Sequence, residues 1–149
     1  MEIDIRTADA SDATNIVALV AELAANEGED CPLTEAYVRH YLAMPGCTVL
    51  LAQQGEVVLG LLSCSLRPNL YHAGNSCLIE ELVVTETARG LGVGSRLVSA
   101  LLERLQESDC EEVSVSTLPD NHQAIKFYKK HGFVDEAVFL ERHLRGSEE

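Results

Sequence analysis

Arg89-Gly90-Leu91-Gly92-Val93-Gly94-Ser95 stands between a β-prone run, Cys77 to Val84, and an apolar series at helical spacing, Val93, Leu97, Val98, Leu101, Leu102 and Leu105. A strand, a glycine-rich bend and a long amphipathic helix are therefore expected in that order. Glycine lets a backbone turn tightly and lets a ligand approach without Cβ obstruction. The first helical turn presents unbonded N–H groups, to which the helix dipole adds partial positive charge. Such a terminus binds phosphate, and Arg89 adds a full charge on a planar fork of donors. A diphosphate is the expected ligand of residues 89–95. The dinucleotide fingerprint Gly-x-Gly-x-x-Gly fails, because Ser95 stands where its last glycine belongs. An ATP-type loop fails too, because no Lys-Ser/Thr follows the glycines. The plain alternative is a helix start that happens to hold three glycines.

Outward from this bend the chain reads as alternating short elements. Toward the N-terminus, residues 2–7 form a short strand, Asp9, Ser11 and Asp12 offer helix caps, and Ile16, Val17, Leu19, Val20 and Leu23 line one helical face through about Ala25. Residues 26–32 form an acidic loop, and a second helix fits Thr34 to Met44, with Thr34 as N-cap and Pro45-Gly46 as the stop. Thr48 to Gln53 and Val57 to Ser65 make a hairpin turning at Gln54-Gly55, and Arg67 to Asn75 reads as a loop. Toward the C-terminus, Val113 to Ser116 is a strand and Asn121 to His131 a helix ended by Gly132. Residues 133–138 and 139–144 have the pattern of closing strands. The sequence holds no repeat, linker or low-complexity tract, so one domain over 1–144 is expected, with a flexible tail at 145–149.

Composition narrows the partners. The chain has 149 residues, 46% of them hydrophobic, enough for a substantial core. Its net charge of -13 argues against nucleic acid and against an anionic membrane. The same charge attracts a cationic acceptor or simply keeps the protein soluble. Five scattered cysteines without Cys-x-x-Cys or zinc spacing argue for reduced thiols and against a metal site. With no basic-then-apolar leader and no membrane-length apolar run, a cytoplasmic location is expected.

The bend resembles the signature of the GCN5-related N-acetyltransferase (GNAT) family, Arg/Gln-x-x-Gly-x-Gly/Ala between a strand and a helix. Arg89, Gly92 and Gly94 fill it, Gly90 is a common extra, and Ile79-Glu80-Glu81-Leu82-Val83-Val84 is similar to the family's fourth strand. A second motif, Asn-x-x-Ala-x-x-Phe-Tyr followed by Gly-Phe, appears as Asn121, Ala124, Phe127, Tyr128, Gly132 and Phe133. The pair, in order and at this separation, is specific, and the resemblance covers nearly the whole chain. It implies an α/β (α+β) acyl-CoA acyltransferase fold, a mixed sheet splayed between its fourth and fifth strands and flanked by about four helices.

The resemblance also implies acetyl-CoA as co-substrate, no metal, and an acceptor amine on a small molecule or peptide. Similar proteins are commonly homodimers. Leu82, Val83 and Val84 would pair with the pantetheine arm as an added strand does. Arg89, Gly90, Leu91, Gly92, Val93, Gly94 and Ser95 would hold the diphosphate. Asn121, with Ala124, Phe127 and Tyr128 of the same motif, would border the pantetheine, although Asn121 can equally cap its own helix. Lys130 or Lys126 would meet an outer phosphate or stay solvated. The alternative function is a catalytically silent acyl-CoA-binding module, which would need no Tyr128.

For transfer, the amine must lose a proton, the carbonyl oxygen needs a fixed donor, and the departing thiolate needs a proton. Glu80 and Glu81 are candidate bases, with water as the alternative. Strand alternation puts them on opposite faces, so only one should face a given cavity. The N–H of Leu82 or Val83 is the candidate oxyanion donor, and Tyr128 the candidate acid beside the sulfur. Tyr71 and His72, or Glu27, Glu29 and Asp30, are further candidates for the acceptor's surroundings. His122 and His131 need no special role.

Overall fold

Asp12 decides where the first helix starts. Its carboxylate accepts from the Asp9 amide at 2.9 Å while Asp9 accepts from the Ser11 amide at 2.9 Å, a reciprocal cap on a 3-10 turn at Ala10–Asp12. The same carboxylate receives two bonds from Arg6, at 2.8 and 3.0 Å, and Asp12 is buried. Those bonds hold the Asp12 carboxyl below its ordinary range.

The computed structural model describes residues 2–145. Of the expected tail, residues 146–149 lie outside the described residues. The chain divides into two compact units, Met1–Val115 and Ser116–Glu149.

The first unit contains β1 (Asp4–Thr7), α1 (Ala13–Asn26), α2 (Glu35–Ala43), β2 (Cys47–Gln54), β3 (Val57–Asn69), β4 (Gly74–Val84), α3 (Val93–Gln106) and β5 (Cys110–Val115). The strands form one five-stranded sheet in the order β1-β2-β3-β4-β5. The first three pairings are antiparallel, and β4–β5 is parallel. That parallel pairing needs a crossover, and α3 supplies it. On one face, Ile16, Leu19 and Val38 of α1 and α2 pack with Val49, Leu51, Leu61 and Val83 of the sheet. Helix α3, whose Leu97 and Val98 are wholly buried, packs against β1 through β4.

Two strand limits differ from expectation. Residues 67–75 are not a loop: Arg67 pairs with Ser76, Pro68 with Asn75 and Asn69 with Gly74, so β3 and β4 form a long hairpin turning at residues 70–73. Ladder bonds are made by the backbone, so polar and proline side chains mark the hairpin's end less sharply than they suggest. The tip is held by the Asn69 side chain, which accepts from the His72 amide at 3.0 Å. Strand β5 starts three residues early, at Cys110 rather than Val113, because adjacent exposed Glu111 and Glu112 hide its alternation.

The second unit contains α4 (His122–Lys130), with Asn121 as N-cap. Gly132 has φ +94, the left-handed conformation expected of the terminator. The two expected closing strands, 133–138 and 139–144, are absent: among the described residues none after Val115 is in a strand. A strand, unlike a helix, makes its backbone bonds to a neighbour, so an apolar run alone does not create one.

Candidate functional site

The middle of β4 departs from regular pairing. Ser63 pairs with Glu81 and the next residue, Cys64, pairs with Ile79, which leaves Glu80 as the extra residue of a β-bulge. One extra residue reverses the alternation beyond it. Val83 accordingly packs in the core cluster under α1 and α2, whereas Cys77 and Ile79 are buried outside that cluster.

The bulge overturns the expectation that Glu80 and Glu81 lie on opposite faces. The Ser63 hydroxyl donates to the Glu81 carboxylate and accepts from the Glu81 amide at 3.0 Å. The Ser65 hydroxyl donates to Glu80 at 3.5 Å. Ser63 and Ser65 are two apart on β3 and share a face, so both carboxylates reach the same side of the sheet. Tyr41 of α2 lies nearby, donating to the Cys64 carbonyl at 3.4 Å. Burial raises the Tyr41 phenol above its ordinary value, and the negative groups of that face, Glu81 and Glu80 among them, add to the rise.

Glu81 and Ser63 line a cavity of about 190 Å³ bounded by α1, α2 and the sheet, whose other walls include Ile16, Val20, Leu33, Val38 and Leu61. Glu80 is exposed and outside that lining. The sequence marks neither Ser63 nor Tyr41. The one available signal was a serine inside the apolar run Val57 to Cys64, which turns out 4% exposed.

Beyond the bulge, β4 runs to Val84 while its pairing with β5 stops at Ile79–Val115. Glu81 to Val84 thus keep β3 on one edge and have no β5 ladder on the other. This is the sheet's opening between its fourth and fifth strands, and Leu82, Val83 and Val84 all lie along it. Chain continuity then leads through a 3-10 turn, Glu86–Ala88, to Arg89 and the glycines.

Gly90 and Gly92 have φ +84 and +79, a region that disfavours any side chain, and a Cβ at either would meet nothing within 4 Å. Gly92 is the N-cap of α3 and, lacking a side chain, makes no side-chain cap bond to the first turn that Val93, Gly94 and Ser95 begin. Leu91 is exposed beside them, while Val93 is buried and anchors the helix start.

Arg89 is already engaged. Its Nε donates to the Val84 carbonyl at 3.1 Å, and its guanidinium lies 3.5 Å from Glu22 of α1. Glu22 also accepts from the Thr85 hydroxyl at 3.0 Å and from the Glu86 amide at 2.8 Å. One carboxylate therefore ties Thr85, Glu86 and Arg89 of the β4–α3 connection to α1. Nothing in the sequence singles Glu22 out, because its partners are more than sixty residues away.

In the second unit, the Asn121 side chain accepts from the Ala124 amide at 3.1 Å, so the capping role is occupied and its NH2 group remains as a donor. Tyr128 is 9% exposed, with its ring edge-on to Phe127 at 5.0 Å and to Phe133 at 5.6 Å. Burial pushes its phenol up to about 12, so it holds its proton throughout the neutral range. Lys126 and Lys130 are exposed, and Lys129 pairs with Glu136 at 2.6 Å.

The remaining candidates stand apart from the cavity. Tyr71 and His72 sit at the β3–β4 hairpin tip, where His72 lies 3.5 Å from Glu112. Glu27, Glu29 and Asp30 are exposed, and from their loop it is Cys31 and Leu33 that line the cavity. All five cysteines are free thiols. Among the described residues no cluster of acids, histidines and cysteines could hold a metal ion, and no helix is long and apolar enough to cross a membrane.

Known proteins bear on this arrangement. The Acetyltransferase (GNAT) family matches residues 15–133. Aminoalkylphosphonate N-acetyltransferase of Salmonella typhimurium is 28% identical over 87% of this chain and 84% of its own length. N-alpha-acetyltransferase 30 of Xenopus laevis is 32% identical over 64% of this chain, which spans 35% of that protein. A solved structure described as a transcriptional regulator from Bacillus halodurans C-125 superposes with a TM-score of 0.83 at 28% identity, covering 96% of this chain and all of that one.

Proposed function

Since the chain belongs to the GNAT acetyltransferase family and is an acyltransferase, we propose that it moves the acetyl group of acetyl-CoA directly to a primary amine, with Glu81 as the base. The carrying observation is the bulge, which turns Glu81 into an apolar cavity, pins it to Ser63, and does so on the strand whose far half lacks a β5 partner.

The residues present suit the co-substrate. The unpaired edge of Leu82 to Val84 offers main-chain bonds to an amide-bearing arm. The open space over Gly90 and Gly92, with the start of α3, suits a diphosphate. Arg89 supplies the cation by exchanging or sharing Glu22. When bound, acetyl-CoA supplies an activated thioester carbonyl.

Glu81 takes a proton from the acceptor ammonium, directly or through water, and so frees the nitrogen lone pair. The N–H of Leu82 or Val83 stabilises the charge that develops on the carbonyl oxygen. As the N–C bond forms and the C–S bond breaks, the nitrogen gives up its second surplus proton to solvent, Tyr128 gives its phenolic proton to the sulfur and regains one from solvent, and Glu81 passes its proton to solvent. Its elevated pKa keeps that proton available. This assignment of Tyr128 rests on the Asn121–Phe133 motif. Asn121 and Lys130 remain proposed contacts to the pantetheine and an outer phosphate.

The relatives' own acceptors, an aminoalkylphosphonate in one case and an alpha-nitrogen in the other by their names, do not select one here. Thiol release from acetyl-CoA with a panel of primary amines tests the proposal. Tyr128→Phe should lower kcat while leaving cofactor affinity intact. Silence with every amine class would overturn the transferase assignment.

A further inference from the structure

The walls of the cavity say what kind of amine it takes. Ile16, Val20, Leu33, Val38 and Leu61 present only hydrocarbon. Its polar features, Ser63 and Glu81 with the Tyr37 and Tyr41 phenols and the Cys31 thiol, carry no positive charge. No lysine, arginine or histidine lines it among the described residues. His40, whose ring meets Tyr37 edge-on at 5.6 Å, is outside the lining. Glu80 adds a second carboxylate on the same face through Ser65.

From this we propose that the acceptor is a primary amine on a compact apolar body that bears no anionic group. The proposal rests on the acetyl-transfer reading above and specifies its substrate class. An ammonium at the Glu81 end meets its countercharge, and the carbon skeleton displaces water from the walls. A phosphonate or phosphate would have to shed its hydration among these side chains with no cation to receive it and a carboxylate alongside. Capacity agrees with charge. The cavity measures about 190 Å³, and an apolar cavity of roughly 150 Å³ accommodates a benzene ring. A phenyl or branched-alkyl group fits. This acceptor class differs from the one named for the Salmonella relative, despite similarity over most of both chains.

The experiment uses the intact protein with 2-phenylethylamine, isoamylamine and 2-aminoethylphosphonate. Each amine is measured twice: thiol release gives kcat/KM, and calorimetry without acetyl-CoA gives amine binding. The apolar amines should exceed the phosphonate by about a hundredfold in kcat/KM, as juxtaposed like charges lead one to expect. Equal or better use of 2-aminoethylphosphonate overturns the inference. If no amine is acetylated, the transferase reading fails, and the binding arm still decides the acceptor class. Tighter binding of an apolar amine upholds it, and tighter binding of the phosphonate or no amine binding overturns it. Two variants locate the effect. Val20→Phe fills the half-buried wall and should raise KM for 2-phenylethylamine about tenfold with acetyl-CoA affinity unchanged. Tyr37→Arg, at an exposed lining position, should move preference toward the phosphonate. Unchanged KM in the first and unchanged preference in the second would each count against the cavity.

Discussion

Val49, Leu51, Leu61 and Val83 of the first unit are all under 5% exposed, whereas Val138, Leu140 and Leu144 of the second are 84, 87 and 84% exposed. Both sets come from runs with good strand composition. In the first unit every such run found a neighbouring strand, and α1, α2 or α3 covered the resulting faces. In the second, what forms is what local bonds can make: a nine-residue helix with a side-chain cap and a left-handed glycine after it. Pattern becomes strand only where another backbone receives it, while a capped helix closes its own hydrogen bonds.

That contrast can be strained at several points. Glu81→Gln should reduce kcat by about a hundredfold or more while cofactor affinity holds. Glu80→Gln should do much less, since Glu80 is outside the cavity. Equal losses would mean that the bulge does not discriminate between them. Asp12→Ala removes the Arg6 pair and a helix cap together and should cost about 2–3 kcal/mol of global stability. The half-exposed position of Arg6, 39% for its side chain, limits the figure. Denaturant unfolding measures it. Arg89→Ala should weaken coenzyme A binding about tenfold, or about 1.4 kcal/mol, by calorimetry.

Asn121→Ala should cost about 1 kcal/mol, confined to α4. Hydrogen exchange should quicken at Ala124 and stay slow in β2 to β4. A loss of protection in the sheet would erase the distinction between the units. The gentlest probe is alkaline pH. Tyr128 has its phenol raised from 10.0 to about 12 in the folded chain. Its contribution to stability is therefore complete below pH 10 and declines as pH climbs to about 12. Tyr128→Phe should flatten the stability profile in that window. Asp12 acts in the opposite sense, because its lowered pKa makes it stabilising above its ordinary value and a loss as pH falls through the folded one.

Much of the candidate site is legible in the sequence. The glycine-rich bend, the cap at Thr34, the helix from Val93 and the cap at Asn121 are local devices, and each occupies its expected place. Glu80 and Glu81 were legible as residues but not as geometry. Alternation is a property of an undisturbed ladder, and the bulge arises from how β3 and β4 register across the hairpin. Ser63, Tyr41 and Glu22 were illegible for a related reason, since each matters through a partner distant in sequence. The closing strands fail in the same way, lacking the neighbour that composition cannot supply.

Residue order alone determined the helices, the caps at Thr34 and Asn121, the glycine-rich bend and the family, because these depend on neighbours within a few positions or on motifs of fixed spacing. Tertiary structure alone decided that two adjacent carboxylates share one face, that a serine pins the half-buried one, and that mainly hydrocarbon walls surround it. Those outcomes depend on strand register and on helix packing across the sheet, which bring together groups that no local pattern relates.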